Sequence, residues 1–329
     1  MRLPAAYRAA AALAVLAGLL WCSACAPATV KSAAPTGTAP APEVTPTPQP
    51  SATLAPSPAV VLEATLAATA EPGATPLPSP TADVRLLPER WPEWPVIPTL
   101  SAHARQVLLD GAAKGANPRA FAKVGDCETL TDWFLVDFDR GTRYYDLGPY
   151  GALQKVIDYY AGSFQHKSAA SARGFTAASA LSSYWADPQV CQAGETPLAC
   201  EYRVQKPAVA FIMLGTNDVN HKTTFAANLR KILEQSLERG ILPVLVTKAD
   251  NLEGDQSLNL TIARMAYEYD LPLWNYWLAV QALPTRGLQP DGAHLTHAPN
   301  RFGDPDVLLS AWPVRNLTAL QVLEVIMGK

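Results

Sequence analysis

The sequence is poor in charge and has no cluster of metal-binding side chains. Only 17% of its 329 residues are charged, and the net charge is −3. Proteins that bind nucleic acids do so chiefly through basic patches, so this balance argues against a nucleic-acid partner. The five histidines are scattered along the chain, without the close spacing of a metal site. We therefore expect no metal and no other cofactor, and we favour a small molecule or a glycan as the substrate.

The chain also lacks an apolar run of membrane-spanning length. Residues 9–20 are apolar but number only about a dozen, whereas a spanning helix needs ~20 residues. Arg2 and Arg8 precede this run, and Cys22 and Cys25 follow it, with the small residues 23–24 directly ahead of Cys25. The pattern is typical of a signal peptide that ends in a bacterial lipobox, which predicts Cys25 as the lipidated first residue of the mature protein. An ordinary secretory signal or a short uncleaved anchor stays open as the alternative.

The segment after the signal has an unusual composition. Residues 26–83 contain no aromatic residue and only five charges, but 13 of the 30 prolines. Such a segment cannot bury enough apolar surface to offset the entropy lost on ordering, so we predict a disordered, extended stalk. Residues 1–25 would then form the signal peptide and lipobox, and residues 84–329 one globular domain. We expect a monomeric, extracytoplasmic lipoprotein that its N-terminal lipid attaches to the cell membrane.

Cysteine is also scarce, with five in the whole chain. Cys191 and Cys200 lie nine positions apart in a loop, and in an exported protein this spacing predicts a disulfide. Cys127 is then the odd thiol of the globular part. A disulfide between Cys127 and either of the other two stays open, and it would disable the thiol.

Beyond residue 84, continuous apolar runs alternate with amphipathic helical patterns. This alternation is typical of an α/β fold with a mainly parallel sheet whose two faces are covered by helices. The predicted strands make a five-stranded sheet and comprise residues 121–124, 168–172 (the weakest candidate), 207–214, 241–247 and 271–276. The predicted helices comprise residues 153–161, 176–184, 223–239, 257–269 and 317–327.

Three short motifs follow one another in the globular part. They are Gly125-Asp126-Cys127, Gly215-Thr216-Asn217-Asp218 and Asp291-Gly292-Ala293-His294. The first two come directly after predicted strands, and in open α/β sheets binding sites form outside the carboxyl ends of the strands. Together the motifs offer the parts of a hydrolase: a nucleophile, an amide donor for an oxyanion, and a histidine with a nearby carboxylate.

In this order the motifs resemble blocks one, three and five of the SGNH (GDSL-type) hydrolases, over roughly two-thirds of the chain. The resemblance implies a three-layer α/β/α, flavodoxin-like fold and the hydrolysis of ester bonds. It also implies Cys127 as the nucleophile, His294 as the general base and Asp291 as the carboxylate that orients the imidazole. The oxyanion would be held by Asn217 and by the backbone N–H groups of Cys127 and Ala177. Residues of the motifs with a supporting role would be Gly125, Asp126, Gly174, Gly215 and Asp218.

The chain departs from the family pattern in two places. Cys127 stands where the family has serine. A thiolate is the stronger nucleophile, but a pocket shaped for oxygen would misalign a sulfur. The second block is matched only by residues 172–177, in which Ala177 replaces a glycine and Gly174 keeps one. A backbone N–H donates whatever its side chain, so Ala177 retains the donor role in this prediction.

An insert rich in aromatic and acidic residues, at positions 132–149, follows the nucleophile. It is either a structured loop whose aromatics pack on the domain or a platform on which sugar rings stack. The second interpretation favours O-acyl groups of a polysaccharide as the substrate. Two other functions stay open: a catalytically inactive glycan- or lipid-binding lipoprotein with the same fold, and a redox or acyl-carrier role for Cys127.

Overall fold

Helices and strands alternate along residues 85–328, which are the residues described by a computed structural model. The predicted signal peptide with Cys25 and the predicted stalk lie outside these residues. The strands are β1 (Asn117–Gly125), β2 (Tyr145–Asp146), β3 (Pro207–Met213), β4 (Leu242–Val246), β5 (Leu273–Trp274) and β6 (Asn300–Arg301). The α-helices are α1 (Ala102–Ala113), α2 (Cys127–Leu130), α3 (Asp137–Arg140), α4 (Gln154–Tyr159), α5 (Ala177–Ala180), α6 (Pro197–Gln205), α7 (Lys222–Glu238), α8 (Ser257–Glu268), α9 (Tyr276–Val280) and α10 (Ala311–Met327). Short 3-10 turns, among them Thr216–Asp218, connect several of them.

Four parallel strands form the main sheet, in the order β1-β3-β4-β5. Every residue of β3 and of β4 is buried, as expected for strands that helices cover on both faces. The prediction of an α/β fold with a parallel sheet is therefore confirmed. In chain order the sheet grows away from β1, which places the carboxyl ends of β1 and β3 side by side.

The predicted fifth strand is wrong. Residues 168–172 contribute a single parallel bridge between Ser171 and Gly125. Turns begin on both sides of that bridge: the hydroxyl of Ser168 accepts the N–H of Ala170 at 3.0 Å, and the N–H of Phe175 donates to the carbonyl of Ala172 at 3.2 Å. The segment therefore has no room to extend as a strand.

The five predicted helices are present, with different bounds. The one predicted over residues 176–184 is shortened to α5, and α10 begins six residues before its predicted start. Five further helices were not predicted: the short helices α2, α3 and α9, and the longer helices α1 and α6. Ser101 and Thr196 cap their first turns, each accepting a backbone N–H with its hydroxyl. No helix among residues 85–328 is both long enough and apolar enough to cross a membrane.

Glycine is required at the points where β1 and β3 end and the loops at the sheet edge begin. A Cβ at Gly125 would lie 2.1 Å from the Thr129 hydroxyl oxygen and 2.6 Å from the Met213 carbonyl oxygen. Gly215 has a φ of 131°, a conformation that other residues rarely adopt. Both glycines let the chain turn sharply at the edge where the motif residues lie.

The insert after α2 divides its aromatic residues between two roles. Phe134, Phe138 and Tyr145 are buried and pack within the core, as the structured-loop interpretation predicts. Trp133 and Tyr144 remain exposed. The insert is fastened to the late part of the chain because β2 pairs in parallel with β6.

Cys191 and Cys200 form the predicted disulfide, with their Cα atoms 5.2 Å apart. Cys127 lies outside it and keeps its thiol. The alternative in which Cys127 is consumed in a disulfide is therefore wrong.

Candidate active site

Asp291 and His294 form a hydrogen-bonded pair, as the motif predicts. His294 Nδ1 lies 2.6 Å from Asp291 Oδ2. The other oxygen, Oδ1, accepts the backbone N–H groups of Ala293 and His294, each at 3.0 Å. The carboxylate thus organises its own loop and holds the imidazole in one orientation. With Nδ1 donating to Asp291, Nε2 is the nitrogen left to accept a proton.

The pKa values of the two residues are shifted in opposite directions. The hydrogen bond that the imidazole donates to Asp291 is the main cause that raises the pKa of His294, and the nearby carboxylates of Glu128 and Asp126 contribute to the same rise. Burial alone would raise the pKa of Asp291. Hydrogen bonds from the Ala293 and His294 N–H groups and from the imidazole outweigh it and lower the pKa to about 2. The carboxylate therefore stays ionised, and the imidazole becomes a stronger base.

Cys127 is the first residue of α2 and is half-buried at the same edge of the sheet. Asp126 caps this helix, because its carboxylate accepts the N–H of Glu128 at 3.0 Å. Glu128 Oε1 in turn accepts the N–H of Leu295 at 3.3 Å. The residue after Cys127 is therefore hydrogen-bonded to the residue after His294, which brings the Cys127 turn and the His294 loop together.

Asn217 lies between Asp126, in the first motif, and the segment 172–177 that matches the family's second block. Its amide nitrogen donates to Asp126 Oδ2 at 3.3 Å and to the carbonyl of Phe175 at 3.2 Å. An amide group has two N–H donors, so both are engaged within the protein. An oxyanion would have to take over or share one of them.

The prediction of Ala177 as an oxyanion donor needs correction. Its N–H points at the buried carboxylate of Asp218, 3.1 Å from one oxygen and 3.2 Å from the other. A buried carboxylate is a stronger acceptor than a neutral oxygen, so this N–H is committed to supporting the fold. Asp218 therefore supports the segment 172–177. Its contact with the Ala177 N–H keeps that group from donating to an oxyanion.

Gly174 is better placed than Ala177 to donate. It has a φ of 74° and is exposed. Its N–H donates to no acceptor among residues 85–328. The next carbonyl along the chain, that of Phe175, accepts Asn217, so the glycine turn lies beside the amide. The sequence signal was present, since Gly174 is the glycine that the second block retains.

Two buried carboxyl groups support the site. Burial is the main cause that raises the pKa of Asp126 to about 7, and the neighbouring Glu128 carboxylate adds to the rise. Burial likewise raises the pKa of Asp218 to about 6, although the Ala177 N–H opposes it. Both groups differ from Asp291, whose carboxyl stays ionised far into acid.

Glu128 and Arg315 form a buried ion pair that sequence reasoning missed. Arg315 Nη1 lies 3.4 Å from Glu128 Oε2 and 3.1 Å from the Glu128 carbonyl oxygen. The guanidinium also lies 4.6 Å from the ring centroid of Phe134 and 5.3 Å from that of Trp312. Glu128 could have been suspected from its place next to the nucleophile. Arg315 lies on α10, where nothing in the sequence connects it to a motif.

A second buried ion cluster follows β4. Lys248 Nζ lies 2.6 Å from Asp250 Oδ1 and also pairs with Glu253. The other oxygen of Asp250 accepts the hydroxyl of Thr216 at 2.7 Å, which ties the cluster to the Asn217 turn. Between the two ion clusters lies a recess of about 40 Å³, which is large enough for one or two waters but too small for a substrate. These charges therefore support the motif loops and do not form a binding pocket.

Among the described residues, one group of potential metal ligands comes close together: Cys191, Glu195 and Cys200. The two sulfurs are bonded to each other, so neither is a thiolate that could bind a metal.

Solved structures provide the only similarities found. The chain is similar to a psychrotrophic esterase from Pseudoalteromonas sp., with 14% identity over 64% of this chain and 100% of that one, and a TM-score of 0.40. It is also similar to a GDSL-like lipase from Bacteroides thetaiotaomicron, with 17% identity, 67% and 97% coverage and a TM-score of 0.37. A third is an acetyl xylan esterase from Geobacillus stearothermophilus, with 15% identity, 62% and 94% coverage and a TM-score of 0.40.

Neither the protein-family models nor the curated proteins include a match to this sequence. In the order of its three motifs, and in their placement at one edge of a parallel sheet, the chain resembles the SGNH (GDSL-type) hydrolases.

Proposed function

We propose that the protein is an exported, membrane-anchored hydrolase of the SGNH type, which cleaves ester bonds through Cys127, His294 and Asp291. The observation that carries the proposal is the 2.6 Å bond between His294 and Asp291, in a loop bonded through Glu128 to the Cys127 turn. This arrangement has the parts of a triad: a nucleophile, a base and an orienting carboxylate.

In the first half of the reaction, His294 Nε2 takes the proton of the Cys127 thiol. The sulfur attacks the acyl carbon of the ester, and the carbonyl oxygen becomes an oxyanion. Asn217, with the N–H groups of Gly174 and Cys127, stabilises that charge, Gly174 replacing Ala177 in this role. The oxyanion collapses, the C–O bond of the ester breaks, and the leaving alkoxide takes the proton from His294.

The second half regenerates the enzyme. His294 takes a proton from water, and the resulting hydroxide attacks the thioester carbon. The C–S bond breaks, the carboxylic acid leaves, and the sulfur recovers a proton from His294. Asp291 remains ionised throughout, because its pKa is lowered to about 2.

Export through a lipoprotein signal belongs to the same proposal. Residues 1–25 have the charge, apolar run and cysteine of such a signal, and residues 26–83 have the composition of a stalk. The Cys191–Cys200 disulfide supports an oxidising compartment, since structural disulfides are rare in the cytoplasm. We propose O-acyl groups of a polysaccharide as the substrate class. A Cys25→Ser variant tests the anchor and is expected to leave the membrane fraction.

The nucleophile is tested on the full chain with p-nitrophenyl acetate. Cys127→Ala is expected to reduce hydrolysis to the uncatalysed rate, and intact-mass spectrometry of the wild type is expected to show an acetyl group on Cys127. Cys127→Ser controls for the loss of the sulfur while keeping a nucleophile. Hydrolysis that survives Cys127→Ala unchanged would exclude the thiol mechanism.

A second candidate function is a catalytically silent binding protein with the same fold. The observation that favours it is the engagement of both Asn217 N–H donors and of the Ala177 N–H within the protein. Iodoacetamide labelling separates the two functions. In the enzyme, His294 accelerates alkylation of Cys127 at neutral pH, and His294→Ala slows it. A slow rate that His294→Ala does not change would favour the silent protein.

A further inference from the structure

A groove of about 690 Å³ lies beside the His294 loop. Its walls come from the insert after α2 and from the residues that flank β6, and it falls in the usual size range of small-molecule sites, ~300–1,000 Å³. The lining residues are Asp132, Trp133, Asp137, Arg140, Thr142, Arg143, Tyr144, Tyr145, Asp146, Pro299 and Arg301. None of them takes part in the mechanism above, so the groove is a separate feature next to the reacting groups.

Trp133 is the largest exposed apolar surface of the groove. Trp133 is 46% exposed to solvent, although the burial of an indole ring is strongly favourable. Trp133 is near two of the motifs. It is six positions after Cys127, and its ring centroid is 4.3 Å from that of His297, three positions after His294. A ligand that covers this ring therefore lies close to His297, in the segment that follows His294.

The backbone around Trp133 is fixed by hydrogen bonds with a side chain of α10. The buried side chain of Asn316, on α10, donates to the carbonyl of Trp133 at 2.8 Å and accepts the N–H of Leu135 at 3.1 Å. Leu135 is itself buried with a φ of 67°, a left-handed conformation that is unfavourable for leucine. Such strain persists only where surrounding contacts fix it, and it concentrates at functional sites. The indole is therefore presented in a fixed position before any ligand arrives.

The polar part of the groove balances its charges. Three aspartates and three arginines line it, so their formal charges cancel. Arg140 pairs with Asp132 at 2.6 Å and approaches Asp137 at 3.5 Å. Arg143 lies 4.7 Å from the ring centroid of Tyr144. A neutral ligand with many hydroxyls fits such a wall, because carboxylates accept from hydroxyls while guanidinium groups donate to them.

We propose that this groove binds the carbohydrate part of the substrate, with one sugar ring stacked on Trp133 so that its ester reaches Cys127. The proposal deepens the ester-hydrolase function and rests on it for the direction of binding. The apolar C–H face of a pyranose covers the indole, and its hydroxyls meet the balanced aspartates and arginines. An apolar acyl chain would make no use of the polar groups of the wall, and a balanced wall gives a polyanion no net attraction.

Binding is tested without catalysis, on the full chain carrying Cys127→Ala. Xylotetraose, cellotetraose and chitotetraose are titrated separately by calorimetry. At least one is expected to bind in the millimolar range or tighter. Adding Trp133→Ala is expected to weaken that binding about tenfold, whereas Trp133→Phe retains most of it because an aromatic face remains. Tyr184→Ala, an exposed aromatic outside the groove, is the matched control and is expected to change little.

The outcomes separate this inference from the proposed function. No binding by any of the three tetrasaccharides, or binding that Trp133→Ala leaves unchanged, overturns the groove assignment even if p-nitrophenyl acetate is hydrolysed. Binding that depends on Trp133 in a protein that hydrolyses no ester supports the groove and overturns the enzyme. In an active protein, Trp133→Ala is expected to raise KM for an acetylated tetrasaccharide about tenfold, whereas the control Tyr184→Ala is expected to leave that KM within twofold.

Discussion

Asp291 and Asp126 are two carboxylates of the same edge of the sheet, and their environments give them opposite properties. The side chain of Asp291 is 48% exposed, and its pKa is lowered to about 2. Asp126 is only 4% exposed, and burial raises its pKa to about 7. The same side chain is thus a permanent charge in one loop and a group that gains a proton near neutrality in the other.

The two carboxylates also differ in where their hydrogen-bond partners lie along the chain. The partners of Asp291 come from its own loop, within three residues, so the Asp291–His294 pair needs little from the rest of the fold. Asp126 accepts one local N–H, from Glu128, but its other oxygen depends on Asn217, 91 positions away. Because the exposed pair is local and the buried network is distant, changes in the first should affect rate and changes in the second should affect stability.

The largest expected effect tests the exposed region. His294→Ala removes the proton acceptor and is expected to lower kcat/KM on p-nitrophenyl acetate by ~10²–10⁴. The midpoint of thermal unfolding should change little, because the imidazole is bonded only within its loop. His103→Ala, on an exposed position of α1, is the control. A His294→Ala enzyme with wild-type activity would end the assignment of His294 as the base.

The next effect tests the buried region. Arg315→Met leaves Glu128 buried without its partner, which is expected to lower the free energy of unfolding by ~3–5 kcal/mol. Adding Glu128→Gln removes the unpaired charge and should restore part of the loss. Urea unfolding measures both variants. If the single variant is as stable as the wild type, the ion pair does not hold the site together.

Asp291→Asn sharpens the comparison by changing charge while keeping size. The His294 pKa is raised mainly by Asp291, and the base must be neutral to accept a proton, so activity falls as the pH drops through that pKa. Removing the carboxylate lowers the pKa and should move the acidic limb of the kcat/KM profile to lower pH. The maximal rate is expected to fall about 10²-fold through misorientation of the imidazole. An unmoved limb would show that another group controls it.

The smallest effect concerns the pH dependence of stability. The folded-state pKa of Asp126 is raised to about 7, above its ordinary value, so its contribution to stability is fully present in acid and is lost as the pH rises through 7. Asp126→Asn should flatten the fall in unfolding free energy between acid and neutral pH by on the order of 1–2 kcal/mol. Asp110→Asn, on the exposed face of α1, should leave the fall unchanged. Parallel curves for wild type and Asp126→Asn would contradict the buried assignment.

Local patterns predicted much of this fold. The apolar runs identified β1, β3, β4 and β5, since fully buried parallel strands have continuous apolar sequences. The segment around Ser171 was overpredicted because its small residues fit a strand as readily as a turn. Helices α1 and α6 were missed although their caps, Ser101 and Thr196, are visible in the sequence.

The candidate site likewise has features that the sequence predicts and features that only the structure identifies. The Asp291–His294 pair and the Cys191–Cys200 disulfide follow from short spacings. The engagement of the Ala177 N–H does not, because it depends on the carboxylate of Asp218, 41 positions from Ala177.

The amino-acid sequence by itself determined the α/β class, the three motifs and the self-contained loop of Asp291 and His294, because these depend on contacts over a few residues. The tertiary structure decided which N–H groups are committed, which charges are buried, and that Trp133 stays exposed beside the reacting groups. Those features depend on α10 and on the loops after β1 and β3, which only folding brings to one edge of the sheet.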